Sequence, residues 1–118
     1  MPAAPQRSEA SDLFIPRAQE AVAVLEEAQQ FKSYLGEAWT DLGALALRRG
    51  DLKRAEVLLT KAVARSPMRP KAHFNYALLL DATARRDKAL DEARAASDLD
   101  PEEPEYHYLS GVILLRLG

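Results

Sequence analysis

The chain has 118 residues, a formal net charge of -2, 29% charged residues and no cysteine. This length suits one domain with a modest core, and the absence of cysteine excludes disulfides and thiolate metal sites. The near-neutral charge argues against nucleic acid as the main partner, and no apolar run approaches the roughly 18 residues of a membrane span. Since the N-terminus does not resemble a signal peptide, we expect a cytoplasmic protein without direct membrane insertion.

The N-terminal part of the sequence predicts a tail followed by two helices. Residues 1–12 are rich in Ala, Pro and Ser and contain few large apolar groups, so we expect a disordered tail. From Pro16 onward, apolar residues recur every three or four positions, which predicts a first helix that ends near Gly36. A second helix is predicted over residues 37–49, and Gly50 supplies the permissive backbone that terminates it.

Four further helices are predicted over the rest of the chain. They cover residues 52–65, 71–84, 87–99 and 105–117. The stretches SPMRP and DPEEP interrupt the helical pattern, because a proline ends the helix before it and can begin the helix after it. No run of strand length alternates between apolar and polar residues, so no strand is predicted. Helices of this length with short connections pack as antiparallel neighbours.

The sequence repeats at one fixed interval. The hexamers AWTDLG, AHFNYA and YHYLSG begin at residues 38, 72 and 106, and several prolines and alanines recur with the same spacing. A period of about 34 residues, occupied by two helices, is typical of folds in which each unit buries its apolar face against the next. The period therefore predicts a stack of helix–turn–helix units.

The recurring residues resemble the signature of the tetratricopeptide repeat (TPR) family. The motif Trp39-x2-Leu42-Gly43, followed by spaced alanines in the next helix, is close to that signature. The repeat positions are Trp39, Leu42, Gly43, Ala55, Leu59, Ala62, Pro67, Ala77, Ala89, Ala96, Pro101 and Gly111. We expect them to be structural, because the small residues let two helix backbones cross closely while the large ones fill the gaps beside them.

The resemblance implies an all-α, right-handed helix–turn–helix solenoid of about six helices. Residues 13–35 would form an N-terminal helix that resembles the second helix of a preceding repeat. Residues 36–69 and 70–103 would form two complete TPR units, and residues 104–118 the first helix of an incomplete third unit. The Ala- and Arg-rich composition favours a bacterial source of high genomic GC content.

In TPR proteins, the first helix of each unit builds the inner face of the stack, which implies a peptide-binding groove here. The residues at the matching positions are Thr40, Asp41, Leu47, Lys71, Phe74, Asn75, Leu78, Tyr108, Val112 and Leu115. Their apolar and aromatic members would form a stripe that suits an amphipathic helix or an extended peptide. The alternative is that some of these side chains pack against neighbouring helices or against a further repeat.

The resemblance implies a protein–protein interaction scaffold that binds a peptide or helix of a partner protein, without a cofactor and without enzymatic activity. The sequence contains no phosphate-binding loop, nucleophile elbow or zinc-protease motif, so we predict no catalytic residues. Two alternative functions remain open. The first is a structural self-assembly module that acts through its apolar C-terminal helix, and the second is an accessory domain of a larger enzyme.

The last predicted helix, residues 105–117, is more apolar than one neighbouring helix can cover. Leaving three of its large side chains in water would forfeit very roughly 5 kcal/mol of burial. We therefore expect either a fragment of a longer repeat protein or a homo-oligomer that forms through this helix.

His73 and His107 occupy equivalent positions in successive units. Two histidines do not make a metal site, so we predict that no metal is bound. Both rings are expected to replace the ring of Trp39 in packing.

Overall fold

The structure, a computed structural model, describes the backbone of residues 9–118 and the side chains of Arg17 and of residues 19–118. These residues form five α-helices and no strand: α1 (Glu9–Arg48), α2 (Leu52–Arg65), α3 (Pro70–Ala82), α4 (Arg86–Leu99) and α5 (Pro104–Leu117). The predicted all-α fold is therefore confirmed. Of the predicted tail, residues 1–8 lie outside the described part of the chain, whereas residues 9–12 already belong to α1.

The chain divides into two compact units, Met1–Lys32 and Ser33–Gly118. In the first unit, the described residues form the beginning of α1, whose apolar side chains, among them Val22, Leu25 and Phe31, are exposed. The second unit contains the rest of α1 together with α2 to α5. Among the described helices, none combines the length and the apolar content that are needed to cross a membrane.

The helix end predicted near Gly36 is absent, because α1 continues from Glu9 to Arg48. The first two predicted helices are therefore one, so the part of the chain that the structure describes has five helices where six were expected. Gly36 instead allows close approach to the turn after α2, since a Cβ atom at this position would clash with the hydroxyl of Ser66. A glycine inside a helix costs only about 1 kcal/mol relative to alanine, so it does not by itself end the helix.

Successive helices of the second unit pack on one another, α2 on α3, α3 on α4 and α4 on α5. Six repeat positions of α2 to α4 are fully buried, namely Ala55, Leu59, Ala62, Ala77, Ala89 and Ala96. Alanine leaves room for two backbones to approach, and Leu59 fills the space beside the crossing. This repeated pairwise packing is the solenoid that the period of the sequence predicts.

The turns after α1 and α3 have the same backbone form although they carry different residues. Gly50 has a φ of 78° and Ala84 a φ of 64°, so both lie in the left-handed region that favours glycine. In each turn, the amide of the next residue donates to a carbonyl five residues upstream, at 2.9 Å in the first turn and 2.8 Å in the second. These bonds satisfy carbonyl groups that the end of the helix leaves free.

A histidine fastens each of the turns after α2 and α4. His73 Nε2 donates to the carbonyl oxygen of Pro67 at 2.6 Å, and His107 Nε2 donates to that of Pro101 at 2.8 Å. The prediction that both rings replace the ring of Trp39 in packing did not include these hydrogen bonds. Each ring also binds the turn that precedes its own helix.

Candidate functional site

An open, mainly apolar groove lies between α3 and α5, and we name it the α3–α5 groove. Its volume is about 410 Å³, and its lining residues are Phe74, Leu78, Asp81, Glu105, Tyr108, Leu109, Val112 and Arg116. Of the predicted groove residues, Phe74, Leu78, Tyr108 and Val112 meet here. Two consecutive repeats therefore contribute one wall each.

The groove follows from the spacing of side chains on its two helices. Phe74 and Leu78 are one turn apart on α3, as are Tyr108 and Val112 on α5, so each pair projects from one helix face. Phe74 and Leu78 pack against the core, whereas Tyr108 is 76% exposed. The groove thus has a packed floor and one large aromatic side chain that remains in solvent.

Tyr106 supports the floor of the groove, although it was not among the predicted site residues. Its ring centroid lies 5.0 Å from that of Phe74, with the two ring planes inclined by 45°. The ring is buried, and this burial raises the pKa of the Tyr106 hydroxyl. The sequence did contain a signal for it, because the equivalent positions in the two earlier repeats are Ala38 and Ala72. A large ring in place of two alanines indicates that packing changes at this point of the stack.

A buried carboxylate lies between two arginines near the C-terminal ends of α3 and α5. Asp81 is buried and accepts a hydrogen bond from Arg86 Nε at 3.2 Å and another from Arg116 Nη1. The two arginine side chains are partly exposed, so water reaches the cations more readily than the carboxylate. Because Asp81 belongs to α3 and Arg116 to α5, this ion pair joins the two walls of the groove.

A second cavity, of about 300 Å³, lies at the start of α3 and carries charges of both signs. Its lining residues are Glu37, Thr40, Asp41, Arg69, Pro70, Lys71, Asp100 and Tyr106. The predicted residues Asp41 and Lys71 are exposed here and can meet charged groups of a ligand. Tyr106 packs on Phe74 and also lines this cavity, so the cavity adjoins the floor of the α3–α5 groove.

Four predicted groove residues have other surroundings. Thr40 is only 1% exposed, and its hydroxyl donates to the carbonyl oxygen of Gly36 at 2.7 Å, as threonine commonly does within helices. Asn75 is buried, and Leu47 packs against the core. Leu115 is largely exposed but does not line the α3–α5 groove. Thr40 and Asn75 therefore do not offer their side chains to a ligand in this structure.

Several repeat positions are more exposed than a packing role requires. Leu42 is half exposed, and Pro67, Pro101 and Gly111 are exposed as well. A repeat position is buried only when a neighbouring helix or turn lies against it, which explains why the same motif differs in burial along the chain. Trp39 is half-buried, and the guanidinium of Arg65 lies 5.1 Å from its ring centroid.

Charged side chains elsewhere on the second unit form structural pairs. Arg85 donates to both carboxylate oxygens of Glu56, at 2.8 and 3.0 Å, and this hydrogen bonding chiefly lowers the pKa of Glu56. Within the part of the chain that the structure describes, no group of three or more His, Asp or Glu side chains could hold a metal ion.

Comparison with known proteins agrees with the repeated architecture. The family model described as tetratricopeptide repeat matches residues 46–113, which is more than half of the chain. The matched range includes α2, α3 and α4 and the part of α5 that carries Tyr108 and Val112. Among curated proteins, none matches the chain significantly.

Proposed function

Because the chain belongs to the tetratricopeptide repeat family, whose repeats mediate protein–protein interactions, we propose that the α3–α5 groove binds a segment of a partner protein. The observation that carries the proposal is Tyr108, a large aromatic side chain that is 76% exposed beside an apolar groove. Tyrosine combines an apolar ring with a polar tip, and such residues dominate the binding energy of many interfaces. The family is a non-catalytic scaffold, so the proposed role is recruitment of a partner.

The groove suits a short apolar segment flanked by polar residues. Between Phe74 and Asp81 the axis of α3 rises about 10 Å, which is room for two or three large side chains of a bound helix or extended peptide. Glu105 and the Asp81–Arg116 ion pair border this apolar stretch. Glu105 and Arg116 are exposed and can hydrogen-bond the polar residues on either side of the bound segment.

The experiment is a selection of displayed peptides on the immobilised chain, followed by fluorescence anisotropy with the selected peptides. We expect these peptides to contain clustered apolar or aromatic residues. The substitution Tyr108→Ala is expected to weaken their binding at least about tenfold, because truncation of a central aromatic residue commonly costs roughly 2 kcal/mol or more.

Val57→Ala is the matched control, because Val57 is an exposed apolar residue of α2 that does not line the groove. This variant should bind the selected peptides like the unmodified chain. Equal affinity of the unmodified chain and Tyr108→Ala for every selected peptide would show that the groove is not the binding site.

A further inference from the structure

One face of α5 is uncovered where the same face of α3 is covered. A Cβ atom built on Gly111 would meet no other atom within 4 Å, and Leu114 is 46% exposed. The equivalent residues of the preceding repeat, Ala77 and Leu80, are fully buried. Among the described residues, no helix covers this face of α5, although the equivalent face of α3 is covered. We name Gly111 and Leu114 the open face of α5.

The first repeat shows what kind of helix covers such a face. A Cβ atom on Gly43, the equivalent of Gly111, would lie 2.6 Å from two side-chain carbons of Leu59 on α2. Leu59 is fully buried there, between the alanines Ala55 and Ala62 on the same helix face. A helix that fits the open face of α5 therefore needs one leucine flanked by small residues, which allow the two backbones to approach.

The same chain contains such a helix face within α1. Ala21, Leu25 and Ala28 each stand one repeat period before the corresponding residue of α2, namely Ala55, Leu59 and Ala62. All three are exposed, and Leu25 is 65% exposed although its equivalent Leu59 is fully buried. We name Ala21, Leu25 and Ala28 the donor face of α1.

We propose that the donor face of one copy of the chain packs on the open face of α5 of a second copy, with Leu25 of one copy against Gly111 of the other. The first helix from one copy and the second helix from the other then complete a two-helix repeat. The two faces are different surfaces, so the contact is heterologous. Each pair still offers one free face of each kind, and the contact can repeat into an open chain of copies.

The size of this contact predicts reversible association. A helix of 14 residues such as α5 is about 21 Å long and about 10 Å wide, so one helix-on-helix contact buries very roughly 800 Å² in total. This is below the roughly 1,200 Å² at which stable specific interfaces begin and lies in the range of weak, transient contacts. We expect the average mass in solution to rise with concentration.

The test is complementation between two variants, measured by light scattering from dilute solution to the highest soluble concentration. Leu25→Asp blocks the donor face, and Leu114→Asp blocks the open face. Each variant alone should remain a monomer, because every contact in it lacks one of the two faces. In an equimolar mixture, the intact donor face of Leu114→Asp should pack on the intact open face of Leu25→Asp. The product should be a dimer of twice the monomer mass that does not grow further, since its two remaining faces are blocked.

Two matched controls separate the proposed faces from general surface hydrophobicity. Val22→Glu lies one period before Glu56, where the repeat already carries a carboxylate, and Leu115→Asp changes an 83% exposed residue outside the open face. Both should associate like the unmodified chain. Gly111→Leu is a second variant of the open face that meets open space in the single copy, so it should fold and yet fail to associate.

Other outcomes would overturn the proposal. Association of Leu25→Asp by itself would indicate a symmetric contact between two α5 helices, and association of Leu114→Asp by itself a symmetric contact between two donor faces. The proposed contact would equally be rejected if the mixture formed no dimer. It would also be rejected if the unmodified chain stayed monomeric at its highest concentration.

Discussion

His73 Nδ1 lies 2.6 Å from Oε1 of Glu92, which forms an ion pair between α3 and α4 when the imidazole is protonated. The other ring nitrogen donates to the carbonyl oxygen of Pro67 at 2.6 Å. A carboxylate and a carbonyl can only accept, and an imidazole donates to both of them only when both nitrogens carry protons. The hydrogen bond to Glu92 therefore raises the pKa of His73, and burial of the ring opposes part of this rise.

We expect the stability of the fold to decrease as the pH rises through the folded pKa of His73. Because this pKa lies above the value of about 6.5 in an unfolded chain, the stabilisation is complete below about pH 6.5. It is lost as the pH rises from there through the folded value. Urea denaturation at several pH values across this range measures the change in the free energy of unfolding.

Two variants check the assignment of this pH dependence. Glu92→Gln keeps the shape of the side chain but removes the charge that holds the proton on His73, so the pH dependence should become flatter. His107→Gln is the matched control, because it removes the other histidine and leaves the His73–Glu92 pair intact, so the pH dependence of that pair should persist. If Glu92→Gln shows the full pH dependence, the ion pair is not its source.

A glycine in place of Ala84, the left-handed turn residue of the second repeat, should stabilise the fold. Ala84 has a φ of 64°, a conformation that costs an alanine roughly 1–2 kcal/mol. Ala84→Gly should therefore raise the free energy of unfolding by about 1 kcal/mol, after allowance for the greater freedom of glycine in the unfolded chain. Gly50→Ala, at the equivalent turn, should lower it by a similar amount. Urea denaturation measures both changes, and a destabilised Ala84→Gly would contradict the strain argument.

Two glycines at the same repeat position should respond oppositely to alanine. In Gly43→Ala the new Cβ atom would lie 2.6 Å from carbons of Leu59, which is fully buried, so we expect a loss of about 1–2 kcal/mol. In Gly111→Ala the new methyl group meets open space, and the better helix propensity should add up to about 1 kcal/mol. Thermal denaturation in dilute solution measures the stability change of each variant. Equal changes would mean that the two glycines do not differ in how closely they are packed.

Removal of the charge of Asp81 should destabilise the second unit. Asp81→Asn leaves Arg86 and Arg116 without the buried carboxylate to which both donate, and we expect a loss of about 1–3 kcal/mol. Asp91→Asn is the control, because Asp91 is exposed and has no ion pair with the described residues. It should change the free energy of unfolding by less than about 0.5 kcal/mol. Chemical denaturation of both variants in the same buffer gives the comparison.

The two aromatic residues of the α3–α5 groove should differ in their effect on stability. Phe74 packs against the core and on the ring of Tyr106, so Phe74→Ala should cost about 2 kcal/mol or more. Tyr108 is mostly exposed, and Tyr108→Ala should change the free energy of unfolding by less than about 0.5 kcal/mol. Denaturation of each variant measures this difference. A strongly destabilised Tyr108→Ala would prevent its use as a probe of binding.

Much of the architecture could be predicted from the repeat period of the sequence. Contacts between neighbouring helices determine the all-α repeat, the buried alanines of α2 to α4 and the turn at Gly50. Such contacts recur at one fixed spacing and are therefore visible in a single sequence. The same spacing placed Phe74 and Tyr108 on adjoining walls of one groove, since helix periodicity determines which side chains share a face.

By itself, then, the sequence determined the repeat and its register, because both are properties of local spacing. The tertiary structure decided which faces are covered and which polar groups meet. The glycine at position 36 lies inside α1 and makes room for Ser66, which a Cβ atom there would hit, and the Asp81–Arg116 ion pair joins residues 35 positions apart. Thr40 and Leu42 show the same dependence, since the first is buried and the second half exposed although the repeat pattern predicts the reverse. Burial at a given position depends on what lies opposite it in space, and the local pattern does not contain that information.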